Sequence, residues 1–121
     1  MIQQLKQKDI EACIDLVGGR SSYDNLKTRM LASLQAHNSF AAGYFQNRKL
    51  LGFVFYSSSS FDLTIHLLWV KNSDEVVIKN LVNHVKEKAD LLGARAIYIN
   101  HHSLSKEVLN LLEILEQYRL E

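Results

Sequence analysis

Residues 61–99, FDLTIHLLWVKNSDEVVIKNLVNHVKEKADLLGARAIYI, limit the possible folds more than any other stretch of the chain. An apolar, strand-like run, FDLTIHLLWV, passes through a short polar turn into a helix. That helix carries Val77, Ile78, Leu81, Val82, Val85, Ala89 and Leu92 at close to a 3.6-residue period. Gly93 stops it, and a second strand-like run, RAIYINHH, follows. Two strands joined by a long helix read as a βαβ crossover, the connection that parallel strands require.

The residues before this unit supply a meander and two more helices. MIQQLKQ suits a short strand. KDIEACIDLV reads as a helix with Asp9 as its N-cap and Ile10, Cys13, Ile14 and Val17 on one face. Gly18 and Gly19 end it, and Ser22 caps a second helix, YDNLKTRMLASLQAH, whose apolar side holds Leu26, Met30 and Leu34 with Tyr23 and Leu31. SFAAGYFQNRKLLGFVFYS is a hairpin around a polar turn at Gln46 to Lys49, and Ser57 to Ser60 read as a flexible connection. Strict alternation along FDLTIHLLWV puts Leu63, Ile65, Leu67 and Trp69 on one face and Asp62, Thr64, His66, Leu68 and Val70 on the other. After the crossover, SLSKEVLNLLEILEQYRL forms a last amphipathic helix. The order is β-α-α-β-β-β-α-β-α. It predicts an α/β (α+β) single domain over residues 1–121, with a mixed sheet of about five strands and helices on its faces.

Composition excludes several classes of function. Fourteen Lys and Arg against thirteen Asp and Glu leave a net charge of +1, so no basic surface argues for nucleic acid. The single Cys13 rules out an intrachain disulfide and a multi-cysteine metal site; on an apolar helix stripe it reads as a buried, inert thiol. No apolar stretch reaches the length of a membrane span and no leader-like region opens the chain, so a cytoplasmic protein is the expectation.

Element order and several phrases resemble the GNAT acyltransferase family. MIQQLKQKDIEACIDLV resembles the family's first strand and helix, with Asp9 where the family commonly has an Asp. YFQNRKLLGFVFYS resembles its hairpin, with Gly52-Phe53 at the usual Gly-apolar pair. LTIHLLWV falls at the fourth strand, along which the pantetheine arm of acetyl-CoA runs, and ARAIYI at the fifth. The resemblance implies acetyl-CoA as cofactor, held by the backbone of Leu68, Trp69, Val70 and Ser73, an amine as acceptor, and a general base near His66. It also marks departures. The family's Gln/Arg-x-x-Gly-x-Gly/Ala motif is replaced by KNSDEVVIKN. Ser105 stands at the usual Asn, Leu112 at the Tyr that serves as general acid, and Glu116-Gln117 at Gly-Phe. The family's last two strands are expected to be missing.

The junction between the fourth strand and the following helix decides between two functions. Helix N-termini attract anions through unpaired N–H groups and the helix dipole. Here Asn72 and Glu75 have the spacing of a reciprocal cap, which would occupy those amides, and Asp74 and Glu75 place negative charge where a diphosphate would sit. A neutral His66 suits a general base, since the ordinary imidazole pKa lies near about 6.5; a partly exposed strand histidine is the plainer alternative. His101-His102 point in opposite directions on an extended segment and make no chelating pair, so no metal site is predicted. Ser57 to Ser60 lack a nucleophile elbow and a nearby base. Two functions remain open: an N-acetyltransferase of reduced form, or a non-catalytic relative that binds a protein or small molecule through an exposed sheet edge. The strand Arg95 to His102 is the expected edge, and a homodimer or another protein partner its expected occupant.

Overall fold

A computed structural model describes residues 1–18 and 23–99. Residues 19–22, the side chains of Tyr23, Asp24 and Ser73, and the chain from Asn100 on lie outside the described residues. So do the expectations placed there: the last helix, His101, His102, Ser105, Leu112, Glu116 and Gln117.

Five strands, β1 (Ile2–Gln4), β2 (Ser39–Gln46), β3 (Lys49–Ser59), β4 (Asp62–Val70) and β5 (Ala96–Ile99), form one sheet in sequence order. The first three pairings are antiparallel and β4–β5 is parallel, as the crossover requires. The helices α1 (Ile10–Val17) and α2 (Tyr23–Gln35) cover one face, and α3 (Glu75–Leu92) covers the other. The result is the mixed, helix-flanked α/β sheet that the pattern predicts. Among the described residues, no helix is long and apolar enough to cross a membrane.

Each face has its own core. Under α3, Val77, Ile78, Leu81, Val82, Val85 and Ala89 pack on Val54, Tyr56, Leu63, Ile65, Leu68 and Val70. Under α1 and α2, Ile10, Cys13, Ile14 and Met30 pack on Leu5, Ala41, Phe53 and Phe55. A fully buried aliphatic side chain contributes about 1.5–3 kcal/mol, so these two layers supply most of the folding drive. Gly52 sets how closely α3 approaches. A Cβ there would lie 2.8 Å from Val77 Cγ1 and 3.1 Å from both Leu81 Cδ1 and the Trp69 carbonyl. Cys13 is fully buried, and burial, with the nearby charge of Asp9, pushes its thiol pKa up to about 12, which makes it inert as expected.

The hairpin turn falls at Gln46 to Lys49 as expected, while local details depart from the sequence expectations in three places. Asp9 has helical φ and ψ, so it does not cap α1 through its side chain. Its carboxylate instead accepts from the Lys6 amide at 2.8 Å, closing a single 3₁₀ turn ahead of the helix. The hairpin turn is tight: Asn47 and Arg48 both have positive φ, the type I′ geometry whose twist matches the flanking strands. Ser57 to Ser59 belong to β3, paired with Thr64, Leu63 and Asp62, so the predicted flexible connection shrinks to Ser60-Phe61. Finally, the alternation along β4 breaks. Phe55 pairs with Leu67 but Tyr56 pairs with Ile65, leaving His66 as an extra residue, a β-bulge. Beyond it the faces exchange: Leu68 and Val70 join Leu63 and Ile65 under α3, while Leu67 and Trp69 turn to α1 and α2.

Candidate functional site

The bulge brings together a pair of side chains that the sequence did not connect. Ser57 follows Tyr56 on β3 and therefore points away from α3. Its Oγ lies 2.6 Å from His66 Nε2. The proposition that the serine run has no nearby base is thus corrected at Ser57. Its base comes from the next strand, through a register shift that residue spacing does not encode. His66 is exposed, yet its pKa is lowered from the ordinary 6.5, first by partial burial and then by the positive charge of Arg29 on α2. The ring is therefore neutral near pH 7, with one nitrogen engaged by Ser57 and the other available as an acceptor or donor according to tautomer.

Past the bulge, one edge of β4 is fully paired: Leu67, Leu68, Trp69 and Val70 lie opposite Phe55, Val54, Phe53 and Gly52. On the other edge, the described pairing with β5 covers only Asp62–Ala96 to Ile65–Ile99. The backbone that the sequence nominates at Leu68, Trp69 and Val70 thus lies beyond the described β5 pairing, immediately downstream of His66. The side chains of Leu68 and Val70 are buried under α3 and that of Trp69 is half-buried on the opposite face, so any recognition along this run falls to the main chain. Extended backbone, with amide and carbonyl groups directed along the sheet, suits the amide groups of a pantetheine arm.

The next residues do not suit the other end of CoA. Lys71–Ser73 form a single 3₁₀ turn in which Asn72 is left-handed, with φ 57°. A left-handed residue cannot also be the extended N-cap, so the predicted Asn72 cap is replaced by Asp74. The Asp74 carboxylate accepts from the amides of Val76 at 2.9 Å and Val77 at 3.4 Å. Glu75 pairs with Lys79 at 2.9 Å. Two amides that an anion would need are therefore occupied, and two carboxylates stand at the positive end of the dipole. A like charge about 4 Å away costs roughly 1 kcal/mol in bulk water and about 4 kcal/mol near a protein surface. Ser73 contributes its backbone to the turn ahead of this cap. The pantetheine part of acetyl-CoA fits the chain; the diphosphate does not fit the junction.

A separate cleft of about 660 Å³ opens where β2 begins. Its polar groups include Tyr56, His84 and Lys88. Tyr56 Oη lies 2.9 Å from His84 Nε2, and the Lys88 ammonium sits 4.7 Å from the centre of the Phe40 ring. Because α3 runs back from the junction, His84 and Lys88 lie toward the opposite end of the sheet from Asp74. Burial raises the Tyr56 pKa to about 12, and burial followed by Lys88 lowers that of His84, so both are neutral near pH 7. A histidine inside a helical period gives no sequence signal of this contact. Among the described residues no cluster of His, Cys, Asp and Glu is arranged to hold a metal ion. Tyr98 is half-buried on β5 opposite Thr64.

No protein-family model matches the chain, and no curated protein sequence matches it. Solved structures do match. A probable acetyltransferase from Staphylococcus epidermidis ATCC 12228 is 22% identical with a TM-score of 0.69, over 82% of this chain and 71% of that one. The ribosomal-protein-alanine N-acetyltransferase of Brucella melitensis biovar Abortus 2308 is 16% identical with a TM-score of 0.75, over 98% of this chain and 92% of that one. The aminoglycoside N-acetyltransferase AAC(6')-Iy, in complex with CoA, is 18% identical with a TM-score of 0.78, over 98% and 89%. Identities this low establish architecture, while activity has to be argued from the site. Its five-strand mixed sheet flanked by helices gives the chain a GNAT-like fold, the architecture it shares with these acetyltransferases.

Proposed function

We propose that the protein is a reduced N-acetyltransferase that moves an acetyl group from acetyl-CoA to a small amine. One observation carries this reading: a neutral, exposed histidine at the β4 bulge, held by Ser57 at 2.6 Å, directly before the stretch of β4 that lies beyond the described β5 pairing. Neighbours in the fold that are named as acetyltransferases, one of them in complex with CoA, support it over a non-catalytic module acting through a sheet edge.

Acetyl-CoA, when bound, supplies an activated thioester. The chain contributes a proton acceptor and a backbone lane. His66 takes the proton from the attacking amine nitrogen as the new C–N bond forms and the C–S bond breaks. Ser57 fixes the imidazole: when Nε2 donates to Ser57 Oγ, Nδ1 carries the lone pair that receives the proton. A thiol leaving group, with an ordinary pKa of about 8.5, would need no acid from the protein. The main chain of Leu68, Trp69 and Val70 holds the arm, and the backbone of Ser73 ends the lane.

Amine-dependent thiol release from acetyl-CoA tests the proposal. Suitable acceptors are an aminoglycoside and a peptide beginning with alanine, the acceptor types named for two of the fold neighbours. Release that rises with acceptor concentration and is abolished by His66→Ala supports it. Release that ignores the acceptor throughout, at millimolar donor, rejects it.

A further inference from the structure

The mismatch between the two ends of the donor site has its own consequence. A nucleotide cofactor is held at a strand–helix junction by free helix N–H groups, by glycines that let a diphosphate approach the backbone, and by cations. Here three amides, those of Val76 to Ile78, are taken, glycine is absent, and of the two lysines, Lys71 and Lys79, one is held by a carboxylate. Asp74 already receives the amides of Val76 and Val77 at 2.9 and 3.4 Å, and the amide of Ile78 goes to the Asp74 carbonyl at 3.0 Å. No glycine occurs from Lys71 to Asn80, so every residue there projects a Cβ. Lys79 is paired with Glu75 at 2.9 Å. Val76, an apolar residue in the first helical turn, is 60% exposed, where a phosphate site would need donors.

The lane itself is unaffected by these features. Recognition of an extended arm along β4 uses main-chain groups of Leu68 to Val70, none of which enters the Asp74 cap. We propose that the acyl donor is recognised through its thioester and pantetheine arm alone, and that a pantetheine thioester without a nucleotide serves as well as acetyl-CoA. This rests on the acetyl-transfer reading above and narrows its donor to a chemical class: S-acyl pantetheines whose far end is unspecified.

Calorimetric titration of the full chain with pantetheine, CoA and ADP, under identical pH and salt, tests it without needing the acceptor. The expected result is that pantetheine and CoA bind within about threefold of one another and that ADP gives no binding heat at millimolar concentration. CoA binding more than about tenfold tighter than pantetheine, or ADP binding alone, overturns the inference while leaving acetyl transfer standing. No heat from any of the three removes the donor site, and both readings fall together. A second measurement opens the junction. In the double variant Asp74→Gly, Glu75→Gln, CoA should gain about tenfold over pantetheine because the amides of Val76 and Val77 become available. Unchanged relative affinities in the folded variant would contradict the role given to the carboxylates.

Discussion

Ser57 Oγ and His66 Nε2 meet at 2.6 Å across neighbouring strands, at the point where β4 carries one residue more than β3. Without the bulge the strand would continue in strict alternation, and Leu68 and Val70 would share the face of His66. The extra residue lets one strand place a histidine beside Ser57 while its next residues still fill the core under α3. The Ser57–His66 contact and the core packing are therefore coupled through a single register shift.

His66→Ala should reduce acetyl transfer by about 10²–10⁴-fold, the usual worth of a positioned proton acceptor, with donor affinity unchanged. Ser57→Ala should lower kcat by less than His66→Ala and leave KM unmoved, because Ser57 acts through the ring. Steady-state kinetics on both variants would check this; a Ser57→Ala loss confined to KM would remove its orienting role.

Arg29 offers a test by charge. Its guanidinium disfavours protonated His66 and helps hold the ring below its ordinary 6.5. Arg29→Gln should therefore raise the His66 pKa and shift the acid limb of the kcat/KM profile to higher pH. A shift in the opposite direction would show that the limb belongs to another group.

The Asp74 cap predicts a stability effect separate from catalysis. Asp74→Ala removes the acceptor for Val76 and Val77 and should cost about 0.5–2 kcal/mol in urea unfolding. Asp74→Ser keeps a cap and should recover most of the loss. Equal destabilisation by the two variants would contradict the capping account.

Gly52→Ala should destabilise by about 1–3 kcal/mol, since its Cβ would fall 2.8 Å from Val77 Cγ1 on a helix already packed against the sheet. Unfolding midpoints measure this. No change would mean that α3 can withdraw from β3 at little cost.

Much of the architecture was legible because hydrophobic period and connection length are local. The 3.6-residue stripe of α3, ended by Gly93 in the left-handed conformation, and the strands on either side predict the parallel return that β4 and β5 make. The bulge was hidden because FDLTIHLLWV is apolar at Leu67, Leu68, Trp69 and Val70 in succession, so both phases bury apolar residues and composition cannot choose between them. Ser57 was missed for the same reason: its partner is set by cross-strand register. At the junction the sequence identified carboxylate capping but assigned it to Asn72 and Glu75. The left-handed φ of Asn72 moves the cap to Asp74.

His84 gives a pH effect on stability that is independent of the reaction. Burial, and then Lys88, hold its pKa below the ordinary 6.5, with Glu87 opposing in part. Between the lowered value and 6.5 the unfolded chain binds more protons than the folded one. The stability His84 permits is thus present above 6.5 and lost as pH falls through the lowered value. The urea midpoint of His84→Gln should fall less on acidification than that of the unaltered chain; parallel falls would rule out this contribution.

The most direct test of the account is amine-dependent thiol release by the unaltered chain and by His66→Ala, measured side by side from about pH 5 to about pH 8. The account predicts release that rises with pH through a single ionisation below the ordinary histidine value and is almost absent from the variant. Equal release by both proteins, or a profile unchanged by the substitution, would contradict it.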